Sequence, residues 1–257
     1  MQDDDHIHFR RSGLWHSQTS LPKPLCNVLS QEYQKVLTAK QKLHYNQLAG
    51  LHNPWGKSAH IFDSWALLDI CQSATILELI MPLIGADIIL WESAFYGYGA
   101  LDPAGRWTRH SDFSPIEPMQ GIVVRIAIDQ QGLELDYLPG SHANIDLDDT
   151  ASTQAASLQL KAGNVVCHDI RLAQRYSNPC DAPPCGEYVI HYMPATSLFI
   201  RDPASNIQRS LAEKIPLINY GKSPIWLVHG NDHRNNDFVT GFSPPVGQWT
   251  NAQWSGV

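Results

Sequence analysis

Positive charge, long apolar runs and paired cysteines are all scarce in this chain, and each scarcity closes off a class of protein. Eighteen Lys and Arg against 25 Asp and Glu leave a formal net charge of −7, the opposite of the basic footprint that nucleic-acid binding requires. The longest apolar runs, such as Ile88-Ile89-Leu90-Trp91, fall far short of the roughly 20 residues that span a bilayer. The five cysteines are odd in number and scattered, which argues against a disulfide framework. Cys180 and Cys185 enclose Asp-Ala-Pro-Pro, whereas a structural zinc usually takes two close pairs. Reduced thiols are the expectation, with a local Cys180–Cys185 bridge as the alternative. Met1-Gln2-Asp3-Asp4-Asp5-His6 is acidic where a secretory leader would be basic, so a cytoplasmic protein is expected.

What is present is enough apolar material for a core. Of 257 residues, 43% are hydrophobic, and a chain of this length buries roughly 70–75% of its unfolded surface. No repeat, charge block or low-complexity linker divides it. The reading is one domain over 1–257, with a polar, weakly structured lead-in over 1–20 and a C-terminal extension over 201–257 packing on the core. A rough helical period runs from Leu25 to Leu48, a second from Ile61 to Cys71. A third starts at Thr75, where Glu78 suggests a capping box, and stops at Gly85. The texture then changes to short β-rich runs: 87–98, 121–129, 133–138, 163–168 and 187–193, with a compact apolar stretch at Pro224–Val228. Helices first and strands later give an α+β chain whose strands close into a sandwich or barrel.

His110-Ser111-Asp112 lies between two β-rich runs. In a strand, residues two apart share a face, so the imidazole and the carboxylate would converge, as two corners of the facial triad that holds non-haem Fe(II). Trp107 precedes the pair, Pro139-Gly140-Ser141-His142 follows, and then comes Ala162-Gly163-Asn164-Val165-Val166. The order W-x-x-H-x-D, P-G-S-H, A-G-N-V-V resembles the phytanoyl-CoA dioxygenase family of iron- and 2-oxoglutarate-dependent oxygenases. That resemblance implies a double-stranded β-helix (jelly-roll) braced by N-terminal helices, with the metal at its open end and His110 and Asp112 as ligands.

The resemblance breaks at the C-terminal end of the site. The family's second ligating histidine falls on Gln174, and its 2-oxoglutarate-binding arginine falls at Cys185-Gly186-Glu187, where Glu187 has the wrong sign. Three readings stay open. Iron is held by His110, Asp112 and the amide oxygen of Gln174, with Arg125 or Arg175 receiving the co-substrate carboxylate. Or His168 supplies the third ligand. Or the site is dead, and the fold serves as a small-molecule binder or as a non-catalytic partner subunit. The first makes the chain an oxygenase of a small organic substrate with Fe(II) and 2-oxoglutarate as cofactors. His191 reads as a packed strand residue, His142 as shaping the loop at the site mouth, and Trp107 as the tryptophan that reaches the pocket. Association with itself or with a related subunit, and no membrane or nucleic-acid partner, complete the expectation.

Overall fold

The structure is a computed structural model that describes residues 3–18, 20–96, 106–128, 133–143, 154–176 and 186–238. Cys180 and Cys185, and with them the bridge between them, lie outside the described residues.

Where a weakly structured lead-in was expected, the chain forms helix α1 (Asp3–Ser12) and strand β1 (Leu14–His16). β1 pairs antiparallel with β7 (Val165–Asp169), Leu14 opposite His168 and His16 opposite Val166. Neither element has a legible pattern: α1 is polar, with Phe9 and Ser12 as its buried residues, and three residues are too few to show alternation.

Helix α2 (Lys23–Leu37) is the first bracing helix; its stripe of Leu29, Tyr33 and Val36 is buried at helical spacing. It stops at Thr38, whose N–H and hydroxyl both donate to the Gln34 carbonyl, 2.9 and 2.7 Å. The periodicity predicted up to Leu48 therefore joins two objects, because Tyr45–Gln47 is a separate 3₁₀ turn. Glu32, buried on α2, pairs with Lys35 and also accepts the Asp63 N–H at 2.8 Å, tying α2 to the start of α3 (Ser64–Cys71). Helix α4 (Ala74–Ile84) buries Ile76, Leu77 and Ile80 and ends at Gly85, at φ +92°. It begins at Ala74, one residue before the expected Thr75, and at the N-cap position the Ser73 hydroxyl donates back to Ile70 O rather than capping. Among the described residues no single helix is long and apolar enough to cross a membrane; α3 and α4 meet that description only as a pair bent by 46°.

The strands form a six-stranded antiparallel sheet in the order β1, β7, β4 (Ile122–Ala127), β9 (Glu187–Pro194), β2 (Ile88–Tyr96), β11 (Trp226–His229). A three-stranded sheet, β6 (Ala156–Leu160), β5 (Leu133–Tyr137), β8 (Gln174–Tyr176), forms the second layer, and β3 (Ile116–Glu117) pairs with β10 (Leu198–Phe199). The helices cover one face of the large sheet: Ile122, Val124 and Ile126 of β4, Cys167 of β7, and Ile190 and Tyr192 of β9 share a core with Leu29, Leu68, Ile76 and Ile80. Alternation turns the intervening residues to the inner face. Register then sets the rows: Val123 lies between His168 and His191, Arg125 between Val166 and Val189, and Ala127 opposite Glu187. Residues after Arg201 add helix α5 (Asn206–Lys214), whose start is capped by Ser205 accepting the Gln208 N–H. Leu211, Ile215 and Tyr220 then pack with Trp91 and Val189.

Candidate functional site

His110 to Phe113 form one turn of 3₁₀ helix, not a strand. At three residues per turn, side chains two apart point in different directions. His110 is buried and Asp112 exposed, so the two side chains do not share a cavity. The turn is held by Ser111 N–H donating to Ile170 O (2.9 Å) and by the Ser114 hydroxyl donating to His110 O (2.7 Å).

At the centre of the inner face sits Arg125, 1% exposed. Its guanidinium donates to four groups: the Glu187 carboxylate, the Tyr176 hydroxyl (3.1 Å), His168 Nε2 (3.2 Å) and His110 Nε2 (3.0 Å). Tyr176 also donates to Glu187. Burial works against the charge on Arg125, but the facing Glu187 carboxylate and the Tyr176 oxygen outweigh it and raise the pKa above its ordinary value. A cation in an apolar strand demands such partners, and Glu187 supplies the opposite charge from β9.

The cluster fixes the protonation of its histidines. A guanidinium has donors only, so the ring nitrogens facing it must be bare. His168 therefore carries its proton on Nδ1, which donates to Asp169 O at 2.9 Å. His110 likewise carries its proton on Nδ1 and donates it to His191 Nε2 at 2.8 Å. Burial first, then neighbouring charges including Arg125, hold His110 and His168 well below the usual imidazole value, and the same causes push His191 down to about 3.

The other expected residues are scattered around this centre. Gln174, on β8, is buried and bridges Thr108 through two backbone hydrogen bonds (2.8 and 2.9 Å). It lines a cleft with Trp91, His110 and His191. Arg175, next along the strand, faces the other way: its Nε donates to Asp136 (3.1 Å), and its guanidinium lies 4.5 Å from the centroid of the Trp107 ring. Trp107 thus stacks under Arg175 and is not among the cleft's lining residues. His142 meets α1, its Nε2 3.2 Å from Arg10 O. The two loop motifs have local structural work. Gly163, at φ +82°, makes the turn into β7, where Asn164 Oδ1 accepts the Lys161 N–H. Ser141 Oγ accepts the Ala173 N–H at 2.9 Å beside β8.

Whether these residues fit an iron ion is decided by their lone pairs. A metal needs ligand atoms aimed at one point from about 2.0–2.2 Å. The Nε2 lone pairs of His110 and His168 accept N–H groups from Arg125, His110 Nδ1 carries a proton, and the Asp112 carboxylate lies at the surface. Among the described residues no group of three His, Cys, Asp or Glu side chains can hold a metal. The set does not fit iron; a guanidinium occupies the position between the imidazoles. The two cations expected to receive a 2-oxoglutarate carboxylate both hold carboxylates of the chain itself, Arg125 that of Glu187 and Arg175 that of Asp136.

Sequence reasoning missed Glu187 as the partner of Arg125, Tyr176 as their bridge, and His191 as more than packing. The available signal was electrostatic: Arg125 and Glu187 are the opposite charges of two apolar strands, and each needs the other.

No family model matches the sequence, and no curated protein matches it. Solved structures do. CytC3 with Fe(II) and α-ketoglutarate superposes with a TM-score of 0.64 at 18% identity, covering 95% of this chain and 94% of that one. The non-haem monooxygenase ThoJ, in its apo form, gives 0.60 at 18% identity, covering 97% and 92%. The non-haem α-ketoglutarate-dependent epimerase SnoN from nogalamycin biosynthesis gives 0.58 at 16%, covering 77% and 82%. With two antiparallel sheets facing one another and helices bracing the larger, the chain has the jelly-roll fold of the non-haem, α-ketoglutarate-dependent oxygenases.

Proposed function

We propose that this chain is a metal-independent small-molecule binder built on the oxygenase jelly-roll, related through its W-x-x-H-x-D, P-G-S-H and A-G-N-V-V motifs to the phytanoyl-CoA dioxygenases. One observation carries the reading: the buried Arg125 guanidinium takes the lone pairs of His110 and His168 and the charge of Glu187. A built-in cation of this kind takes the lone pairs and the charge that a metal would otherwise meet, leaving Glu187 Oε2 as the one carboxylate oxygen of the pair without a partner among the described residues. The cleft beside it supplies the binding site, with aromatic walls and a few polar groups, the usual make-up of a ligand pocket.

A second reading keeps the chemistry that the motif order implies, oxidation of a small organic substrate at an iron centre with 2-oxoglutarate. It is favoured by Gln174, whose Oε1 has no hydrogen-bond partner among the described residues and which shares the cleft with His110. The fold neighbours SnoN and CytC3 are also described with iron and α-ketoglutarate.

Anaerobic titration with Fe(II), then 2-oxoglutarate, followed by visible absorbance and metal analysis after desalting, separates the two. The expected result is no stoichiometric iron and no charge-transfer band. One equivalent of iron with a band that disappears in His110→Ala overturns the metal-independent reading.

A further inference from the structure

Three residues lining the cleft each hold a buried polar atom with no hydrogen-bond partner among the described residues: His191 Nδ1, Trp91 Nε1 and Gln174 Oε1. Their residues are only 2%, 2% and 1% exposed. An unsatisfied buried polar atom costs about 1–3 kcal/mol, so three on one cleft mark a place where something else completes the set.

The polarity of the three follows from Arg125. Because His110 Nε2 accepts from the guanidinium, His110 donates through Nδ1 to His191 Nε2. His191 is neutral and has a bare Nε2, so its single proton is on Nδ1. The unmatched atom of His191 is therefore a donor, fixed by a relay that begins at Arg125. Trp91 Nε1–H is a donor by constitution, and its ring centroid lies 4.9 Å from that of His191. Gln174 Oε1 is an acceptor. The cleft thus offers two donors from one wall and an acceptor from another strand.

Its remaining walls are the rings of Tyr96, Phe113 and Tyr220 with Thr108, Arg109 and Ile215. The space open to water centres is about 30 Å³, room for about two waters or one small flat group. Waters would match the polar atoms but not the aromatic faces.

We infer that the cleft recognises a planar group carrying a carbonyl oxygen beside an N–H, the pattern of a cyclic amide or imide. The carbonyl accepts from His191 Nδ1–H and Trp91 Nε1–H, the N–H donates to Gln174 Oε1, and the aromatic rings flank the plane. This deepens the binding reading above and rests on it for the state of Arg125.

The test uses the full chain, treated with EDTA, and two probes that differ by one methyl group: 2-pyridone and N-methyl-2-pyridone. Binding is followed by the ¹⁵N-labelled indole N–H resonances and by ligand-observed NMR. Saturable binding of 2-pyridone that moves the Trp91 indole N–H, with N-methyl-2-pyridone at least tenfold weaker, is expected. In Gln174→Leu the preference between the probes should drop below threefold. No saturable binding, equal affinity for the two probes in the wild type, or an unchanged preference in a folded Gln174→Leu overturns the assignment. Equal affinity is also what a reversed Gln174 amide, presenting a donor, would give. The same samples are assayed for iron uptake without EDTA. Iron uptake with retained N–H selectivity sinks metal independence but not the ligand class; lost selectivity in a protein that takes no iron sinks the ligand class alone.

Discussion

The two faces of the six-stranded sheet are made from the same strands and solve opposite problems. On the helix face, Ile122, Val124, Ile126, Cys167 and Ile190 need only volume and dryness from α2 to α4. Two tyrosine hydroxyls there are absorbed locally, Tyr188 donating to Ser93 Oγ (2.9 Å) and Tyr192 to Cys71 O (2.6 Å). On the inner face, Arg125, His168, Glu187 and His191 are as deeply buried, yet each depends on a particular partner in a particular orientation. Apolar burial is non-directional and tolerates exchange; a buried ionic network is stable only when complete. The face that reads as more robust in composition is also the one that specifies less.

The largest effect should come from breaking the inner network in half. Arg125→Leu leaves Glu187 buried without its cation and should cost about 3–5 kcal/mol, whereas Arg125→Leu with Glu187→Leu should recover most of that loss. Denaturant titration of the single and double variants measures it, and a double variant as unstable as the single one would mean that the pair is not the organising interaction. The next effect is a pH dependence to which the histidines of the same face contribute; His52, buried beside Ser93 and also pushed down to about 3, adds to it from the other side. His191 is held at about 3, below its ordinary 6.5, and His110 and His168 are also depressed. Between those limits the unfolded chain takes up protons that the folded chain refuses, so stability falls as pH drops below about 6.5, by roughly 1.4 kcal/mol per pH unit for each such group. His191→Gln should make the slope shallower by about one group's worth, read from chemical melts at pH 7, 6 and 5; an unchanged slope would show that His191 titrates freely. The smallest effect belongs to the apolar face, where Ile190→Val should cost about 1 kcal/mol with no change in pH dependence. A larger loss, or an altered pH slope, would blur the contrast between the faces.

How much of this was legible varies with element length and with how local the cause is. The long strands were readable because they are near-continuous runs of β-forming apolar residues, buried on both faces, as in Ile122–Ala127 and Glu187–Pro194. α1, β1, β8 and α5 were not, being either short or too polar to carry a period. The His110–Asp112 pair was legible as a motif and misleading as geometry, since convergence assumed a strand and the chain makes a 3₁₀ turn there. Counting along the motif put Gln174 in the ligand set, and the structure places it on the cleft that His110 also lines; Arg125 was seen as a cation awaiting a ligand when Glu187, 62 residues later, had already claimed it.

The order of motifs, the alternation that turns Arg125, His168, Glu187 and His191 to one side of their strands, and the need of a buried arginine for an anion are all written in the sequence, because they depend on residue type and on a period of two. Which anion it finds, which imidazole nitrogens it leaves bare, and whether His110 and Asp112 meet were decided only in three dimensions. Those outcomes turn on strand register and on one turn's pitch, and both are set by packing between residues far apart in the chain.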